Sequence, residues 1–404
     1  MSDRLRVLSI AHTGVSSLAG RHRYQPLAND PRLDVRLVVP QRWYQFGRWY
    51  EADPPEDAGV QTLALPIRLP RAGPAGWYLY YYAGLRAIAR RFAPDVIHLW
   101  EEPWGAAALQ GSMLARKCGA ALVLEVDQNL LKQLPPPFGQ IRRTVLRRTT
   151  LILSRSADAT AVVRACGYTG PAMPVAYGVD PSIFRVQGAR TLPQSPLRIG
   201  YAGRLVPEKG LDDLLDAIAL AGAPVRLGIM GEGPYAAALR SRVAQLGLED
   251  RVSWRPWGEP AEVARFMHEQ HVIALMTRTD AVAKEQFGRI IIEAQACGIP
   301  VIGSTSGAIP HVVGEGGWIV PERDPAATAA VFDRLAADPA SVAARGRAAQ
   351  RNVAERFTYT SVAQSLADAW RQADTLHRRR RTAAPQPARR SEWVWPRPRE
   401  NQHG

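Results

Sequence analysis

The sequence predicts an α/β protein built from two consecutive Rossmann-like domains. Short apolar segments alternate with helical stretches, and this pattern restarts after a Pro- and Ser-containing connection at Thr191–Pro196. Apolar segments of strand length that alternate with helices indicate buried parallel strands covered by helices on both faces. We therefore expect two doubly wound sheets, with ligands bound beyond the carboxyl ends of their strands.

Each half contributes its own strands and helices. In the first half the predicted strands are Leu5–Ala11, Asp34–Pro40, Asp95–Leu99 and Ala121–Val126, and the predicted helices include Trp77–Phe92 and Gly105–Lys117. In the second half the strands are Leu197–Ala202, Val225–Met230, Val252–Trp254, Val272–Met276 and Pro300–Gly303, and the helices are Leu211–Leu220, Pro234–Leu246 and Arg289–Cys297. We place the first domain at 1–190, completed by a helix at 357–375, and the second at 191–356.

Composition narrows the functional classes. The 404 residues carry a formal net charge of +14, which favours anionic partners. Between Arg378 and Arg399 eight Arg face one Glu, so an Arg- and Pro-rich tail at 376–404, predicted to be disordered, holds much of that charge. The tail accounts for much of the positive charge, and the sequence contains no recognisable nucleic-acid recognition module. We therefore do not expect nucleic-acid binding. The three cysteines are widely spaced, which favours a reduced, cytoplasmic setting.

Two glycine-containing loops follow predicted strands of the second half. Gly203–Gly210 places Arg204 and Lys209 between a strand and a helix, where two cations suit a diphosphate. Met230–Pro234 contains Gly231, which would permit close approach of a ligand to the backbone. Considered alone, the two cations of the first loop are also explained as solvated surface charges. The glycines of the second loop are also explained by the needs of a tight turn.

The segment Glu285–Ile302 is the most informative. Gly288 lies at the predicted start of a helix, so the amides of Phe287, Gly288 and Arg289 would be among its unsatisfied donors, which could hold phosphate oxygens. Glu293 follows about one turn into that helix. Glu285 precedes it, so one carboxylate can meet a sugar and the other a ribose.

These segments resemble the retaining GT-B glycosyltransferases of family four. Glu285 and Glu293 match that family's E-x7-E pattern. Agreement in order and spacing extends to G-R-L-V-P-E-K-G at 203–210, G-E-G-P at 231–234, S-T-S-G-A-I-P-H-V-V at 304–313 and G-V-D-P-S-I-F at 178–184. The resemblance implies the GT-B fold, with two Rossmann-like domains facing a central cleft. It also implies transfer of a sugar from a nucleotide-diphosphate-sugar to a glycan or lipid-linked acceptor in polysaccharide or glycoconjugate synthesis.

The resemblance also implies roles for individual residues. Arg204 and Lys209 would bind the donor diphosphate, Glu285 the transferred sugar and Glu293 the ribose. Backbone amides over Phe287–Ile290 and at Gly231 would contact the donor, as would a glycine of the first domain, for which Gly14 and Gly20 are both candidates. No bound cofactor and no metal are expected.

The first domain departs from the family pattern. Trp100 stands where many relatives have a histidine, and Asp127 stands at a second such position; His98 lies nearby. Glu101, Glu102 and Asp127 are therefore candidates to handle acceptor hydroxyls. The alternative is that they are strand-end caps and ion pairs.

Two segments raise the question of a membrane. Arg42–Tyr50 mixes aromatic and basic residues, and Gln140–Arg148 is a predicted basic helix. Such segments suit an anionic membrane surface at the inner face, although a basic helix can equally be a solvated face. Two rival functions also remain open: a nucleotide-sugar epimerase, and a non-catalytic nucleotide-sugar-binding protein.

Overall fold

The computed structural model describes residues 4–16, 20–45, 48–54, 59–70, 76–188 and 195–383. Two large parallel sheets form the framework, one of seven strands and one of six. Their central strands are buried and predominantly apolar, as expected for sheets covered by helices on both faces, whereas strands at the edges are partly exposed. The prediction of two doubly wound sheets is confirmed.

The first sheet runs in the order β11-β10-β9-β8-β1-β2-β5. The strands of this half are β1 Leu5–Ala11, β2 Leu33–Pro40, β3 Arg42–Gln45, β4 Arg48–Glu51, β5 Gln61–Leu65, β6 Ile67–Arg68, β7 Tyr81–Tyr82, β8 Val96–Trp100, β9 Ala121–Val126, β10 Leu151–Ser154 and β11 Ala172–Pro174. Its helices are α1 Gly76–Leu79, α2 Leu85–Phe92, α3 Ala106–Cys118, α4 Phe138–Arg148 and α5 Ala157–Ala165.

The second sheet runs in the order β14-β13-β12-β15-β16-β17. Its strands are β12 Leu197–Ala202, β13 Val225–Met230, β14 Val252–Arg255, β15 Val272–Leu275, β16 Val301–Ser304 and β17 Gly317–Val320. Its helices are α6 Leu211–Leu220, α7 Ala236–Gln245, α8 Pro260–His268, α9 Arg289–Ala296, α10 Ile309–Val313, α11 Pro325–Ala337 and α12 Pro339–Arg356.

The last helix, α13 Tyr359–Ala383, returns to the first domain. Leu366 and Trp370 are fully buried in the first-domain core, and Arg371 lies 2.5 Å from Asp30. Burial of a tryptophan of this kind contributes about 3–5 kcal/mol, judged by the cost of truncating it to alanine. The predicted helix at 357–375 is therefore present but longer, because the arginines that follow continue it.

The first half differs from the prediction in two places. The predicted helix Trp77–Phe92 is wrong as a single element, because β7 lies between α1 and α2 and pairs antiparallel with β6. Gly84, with φ +77°, then begins α2 in a conformation that glycine adopts most easily. Within the aromatic and basic segment Arg42–Tyr50, β3 pairs antiparallel with β4.

The ends of the predicted domains are only partly described. The expected boundary between 190 and 191 lies outside the described residues. The predicted tail from 376 begins as part of α13, which runs to Ala383, and residues 384–404 lie outside the described part of the chain. Within the described ranges, every helix is too short or too polar to cross a membrane.

Candidate functional site

Two glycine-containing loops of the second domain pack against each other at the carboxyl ends of β12 and β13. The amide of Leu205 donates to the carbonyl of Glu232 at 2.8 Å. A Cβ atom added at Gly231 would lie 1.9 Å from the carbonyl oxygen of Gly203, and one at Gly233 would lie 2.2 Å from that of Leu205. Gly231 thus approaches the neighbouring loop closely, and its expected approach to a ligand stays a prediction. The glycines set the shape of the site.

Lys209 is placed by a tight turn. The turn Pro207–Lys209 ends at Gly210, which has φ +67°. A Cβ atom there would lie 2.0 Å from the carbonyl oxygen of Met276, so the turn is pressed against the end of β15. Arg204, earlier in the same loop, is exposed. The two cations therefore both lie at the carboxyl edge of the sheet.

Glu285 receives hydrogen bonds from several sides. Its Oε2 lies 2.6 Å from Nζ of Lys209 and accepts a hydrogen bond from Oγ1 of Thr277 at 2.9 Å. Burial alone would raise the pKa of Glu285. Attraction to Lys209, with hydrogen bonds from Lys209, Thr277 and the amide of Phe287, outweighs burial, so the pKa lies below its ordinary value. Glu285 is an anion paired with Lys209.

Helix α9 begins beside this pair. Gly288 caps the helix with φ +81°. Ile290 is buried in the core, whereas the side chain of Arg289 is 44% exposed and lies 3.7 Å from Glu293. Burial raises the pKa of Glu293, and Arg289 opposes that shift. The structure thus brings the amides at 288–290 and the carboxylate of Glu293 to one end of one helix.

The backbone amide of Phe287 has a hydrogen-bond partner that the sequence did not predict. That amide donates to the carboxylate of Glu285, so it supports a neighbouring side chain. The ring of Phe287 is buried and lies 5.2 Å from the ring of Tyr177 and 5.7 Å from that of Phe357. These contacts fix the segment that precedes α9 against the connection between the domains.

A pocket lies where the first domain faces the start of α9. It is lined by Gly20, His22, Arg23, Trp100, Tyr177, Gly178, Arg289 and Tyr359. Of the two candidate glycines, Gly20 lines this pocket. Gly14 instead lies in a turn after β1, where an added Cβ atom would be 2.8 Å from Val39. The geometry therefore favours Gly20 as the glycine that faces the cleft.

Glu101, at the end of β8, is engaged inside the first domain. It accepts hydrogen bonds from Nδ1 of His12 at 2.7 Å, from the hydroxyl of Tyr82 at 3.1 Å and from the hydroxyl of Tyr80. Burial would lower the pKa of His12, but the charge of Glu101 outweighs burial and raises it. Glu101 is 4% exposed. Its contacts are those of an internal ion pair.

Glu102 and Asp127 lie at neighbouring strand ends. Oε1 of Glu102 accepts hydrogen bonds from the amides of Asp127 and Gln128 at 3.0 and 2.9 Å. Its Oε2 is buried and has no hydrogen-bond partner among the described residues. Burial, with the nearby charge of Asp127, raises the pKa of Glu102 to about 7. Glu102 is therefore a carboxyl group that exchanges its proton near neutrality.

Asp127 uses both of its oxygens. Oδ1 lies 2.6 Å from Nε of Arg155 and accepts a hydrogen bond from the hydroxyl of Tyr177 at 3.4 Å. Oδ2 accepts a hydrogen bond from the indole of Trp100 at 2.9 Å. The indole of Trp100 thus has a polar partner within the first domain. The guanidinium of Arg23 stacks on its ring at 3.7 Å.

A fully buried charge network lies beneath these residues. Glu125 in β9 holds Arg23 at 2.7 and 2.8 Å through two parallel bonds and also pairs with Arg155. Nε2 of His98 lies 3.2 Å from Glu125, a contact distance without hydrogen-bond geometry, while its Nδ1 shares a hydrogen bond with Ser9 at 3.0 Å. Burial lowers the pKa of His98. His98 belongs to the core of the first domain.

Several residues of this region were not predicted from the sequence. Thr277, Asn129, Arg23 and Arg155 all lie at or near the site. Thr277 and Asn129 follow β15 and β9, so the rule that sites form after parallel strands would have selected both. The partners of the two arginines come from strands distant in sequence, and no local pattern indicates them. Among the described residues no group of three or more His, Cys, Asp or Glu is arranged to hold a metal ion.

Comparison with known proteins identifies similar sequences. Residues 185–352 match the family model described as glycosyl transferases group 1. A D-inositol 3-phosphate glycosyltransferase of Streptomyces avermitilis is 32% identical over 302 residues, which are 69% of this chain and 62% of that protein. The chain covers between 42% and 54% of the length of four further curated relatives.

Solved structures of the same fold cover both domains. A sucrose-phosphate synthase from Thermosynechococcus elongatus superposes with a TM-score of 0.66 over 91% of this chain and 99% of its own, at 19% identity. HepE of Anabaena, solved with UDP and glucose, superposes with a TM-score of 0.66 over 91% of this chain and all of its own, at 18% identity. The two-domain GT-B fold is therefore confirmed across most of the chain.

Proposed function

The chain belongs to the glycosyl transferases group 1 through residues 185–352, and from that premise we propose that it is a retaining glycosyltransferase. It would move a sugar from a nucleotide-diphosphate-sugar to a hydroxyl of a glycan or lipid-linked acceptor, in polysaccharide or glycoconjugate synthesis. One observation carries the proposal. Lys209 and Glu285 form an ion pair of 2.6 Å beside the start of α9, so a cation, a carboxylate and helix amides converge at one place.

Donor binding would rearrange that pair. A diphosphate carries more negative charge than Glu285, so it would draw Lys209 away, and the exposed Arg204 would bind the same group. The amides at 288–290 would contact the phosphates, since the first turn of a helix and the helix dipole both favour an anion there. Glu285, released from Lys209, would accept hydrogen bonds from the transferred sugar, and Glu293 from the ribose.

The transfer step then breaks one bond and forms one. The bond between the anomeric carbon and the diphosphate oxygen breaks, and its electron pair leaves with the diphosphate. The acceptor oxygen bonds to the same carbon from the same face and loses its proton to a phosphate oxygen. Arg204 and Lys209 would stabilise the charge that develops on the leaving group, which is the main contribution of the protein.

On the acceptor side, Glu102 is the stronger candidate of the two carboxylates. Its Oε2 has no hydrogen-bond partner among the described residues, so an acceptor hydroxyl would supply one. Both oxygens of Asp127 already have partners, so we propose that Asp127 orients Trp100 and Arg155. In steady-state kinetics, Glu102→Gln would raise the KM of the acceptor. An unchanged KM would remove Glu102 from the acceptor site.

Product analysis tests the proposal directly. UDP-glucose is the first donor to try, because the structural neighbour HepE is described in complex with UDP-glucose. Nucleoside diphosphate should be released only when an acceptor is added, and NMR of the product should show the anomeric configuration of the donor. Inversion would contradict the retaining mechanism. A changed donor sugar without acceptor would support an epimerase, and nucleotide binding without turnover a non-catalytic protein.

A membrane surface is the second partner that we propose. The side chain of Trp49 in β4 is 41% exposed. In α4 the arginines Arg143 and Arg147 are exposed. Exposed aromatic and basic side chains favour the interface of an anionic bilayer. Such a surface would bring a lipid-linked acceptor to the first domain.

A further inference from the structure

Two side-chain contacts cross from the first domain to the segment that carries Glu285. Nδ2 of Asn129 donates hydrogen bonds to the carbonyl oxygens of Lys284 at 3.3 Å and Glu285 at 3.0 Å. Nζ of Lys284 lies 2.8 Å from Oδ1 of Asp158, in the first turn of α5. Asn129 is 5% exposed, so water competes little for its two bonds.

The first-domain side of this contact is firmly held. Asn129 lies three residues beyond the end of β9. Glu102 accepts hydrogen bonds from the amides of Asp127 and Gln128, directly before it. Asp127 is also bound to Arg155. The amide group of Asn129 is therefore a donor in a fixed place at the edge of the first sheet.

The second-domain side is held as well, although only by its own domain. The carbonyl oxygen of Glu285 accepts a hydrogen bond from the amide of Ala308 at 3.1 Å, and the amide of Glu285 donates to Oγ of Ser306 at 3.3 Å. Gly307 permits this packing, since an added Cβ atom would lie 2.1 Å from the same carbonyl oxygen. Asn129 supplies a restraint on this peptide from across the cleft.

We propose that Asn129 is a positioning residue that couples closure of the two domains to the placement of Glu285. The ion pair between Lys284 and Asp158 is the second contact of the same clamp. This inference rests on the proposed function of Glu285 as the group that holds the transferred sugar. When the domains separate, both bonds from Asn129 are lost, and Glu285 keeps only the contacts within the second domain.

The clamp predicts a separation between binding and turnover. Arg204, Lys209 and Glu293, which would hold the nucleotide diphosphate, all belong to the second domain, whereas the side chain of Asn129 bonds to the carbonyl oxygens of Lys284 and Glu285. Loss of the clamp should therefore leave the affinity for UDP within about twofold of wild type. Turnover should fall about fivefold to tenfold, the loss expected for a hydrogen-bonded contact.

The variant Asn129→Asp tests the clamp without any assay of activity. A carboxylate at this position would face two carbonyl oxygens and repel them. Small-angle scattering should show a larger radius of gyration, and hydrogen exchange at 284–288 should be at least about fivefold faster, because a restraint on this peptide is removed. Asn129→Ala should show smaller changes in the same direction. Asn29→Ala, on the exposed surface, is the matched control and should behave as wild type.

The outcomes separate the clamp from the proposed function. A folded Asn129→Asp protein with wild-type scattering and exchange would overturn the clamp. Altered exchange with unchanged turnover in Asn129→Ala would overturn the positioning role. If wild type transfers no sugar from any donor, the proposed function fails, whereas the scattering and exchange results still decide whether Asn129 links the domains.

Discussion

The two domains place charged residues at equivalent positions, at or just beyond the carboxyl ends of parallel strands, but they use them differently. In the first domain Glu101, Glu125 and Asp127 are engaged by buried partners of the same domain. In the second domain Arg204 is exposed, and Lys209 pairs with Glu285 at the mouth of the cleft. We propose that the first arrangement stabilises a scaffold and that the second keeps charge available for an anionic ligand.

The difference follows from how far each charged group is buried and whether its partner can be replaced. Glu125 is fully desolvated between two guanidinium groups, so removing any member leaves a buried charge without compensation. Lys209 and Glu285 are 19% and 12% exposed, and a diphosphate can replace one carboxylate as the partner of Lys209. Under the proposed function, charged residues at similar positions on the two sheets serve structure in one domain and ligand binding in the other.

The largest effect is expected from breaking the buried network. Glu125→Gln would leave Arg23 and Arg155 without their shared anion and should lower the free energy of unfolding of the first domain by about 3–5 kcal/mol. Denaturant unfolding followed by circular dichroism would measure it. Glu249→Gln, at an exposed position, is the control. A stability loss no larger than in the control would show that the network is not a scaffold.

Removal of one donor-site cation comes next and should affect rate more than stability. Lys209→Ala and Arg204→Ala should each lower kcat at least about a hundredfold, since a lost preorganised charge of this kind costs about 2–4 kcal/mol. Lys117→Ala is an exposed control. Normal steady-state rates in both donor-site variants would contradict the assignment. A melting temperature close to wild type in Lys209→Ala would sharpen the contrast with Glu125→Gln.

Glu102 sharpens the comparison through pH. Its pKa is raised from 4.5 to about 7 by burial and by Asp127. Folding therefore favours the protonated form, so the stabilising contribution is complete below the ordinary pKa of 4.5 and is lost as the pH rises towards about 7. Glu102→Gln does not ionise, so the melting temperature of wild type should fall relative to this variant between those limits. If the melting temperatures of wild type and variant change equally with pH across that range, Glu102 does not titrate there.

The smallest effect concerns the outer surface of the first domain. Arg143→Glu with Arg147→Glu should reduce sedimentation with liposomes that contain anionic phosphatidylserine, because each lost basic residue costs about 1 kcal/mol near such a surface. Liposomes of phosphatidylcholine alone are the control membrane. Equal binding of wild type and variant to anionic liposomes would exclude α4 as the contact.

Much of this arrangement follows from local sequence, and the remainder does not. Strand–loop–helix units with glycines selected Arg204, Lys209, Glu285 and Glu293, because parallel strands bring their carboxyl ends to one edge. The close contact between Gly231 and Gly203 was not predicted, because it joins loops that follow two different strands. A pattern within one segment carries no information on such a contact.

Other differences arise from long-range pairing. Tyr81 and Tyr82 lie within a helical pattern but form β7, because Ile67 and Arg68 offer an edge to pair with. The contacts of Asn129 span 155 and 156 residues of sequence. Fold class and the donor-side residues were therefore accessible from the sequence, whereas the internal pairing of Asp127 and the contact across the cleft required the structure.

A thermal-shift panel with UDP, GDP, ADP, TDP and CMP, on wild type and Lys209→Ala, tests the central claim most directly. A nucleotide at a hundred times its dissociation constant should stabilise the protein by about 2.7 kcal/mol. We predict a clear shift in melting temperature with one nucleoside diphosphate, and a much smaller one in Lys209→Ala. No shift with any nucleotide, or an equal shift in both folded proteins, would contradict a donor site at Lys209 and Glu285.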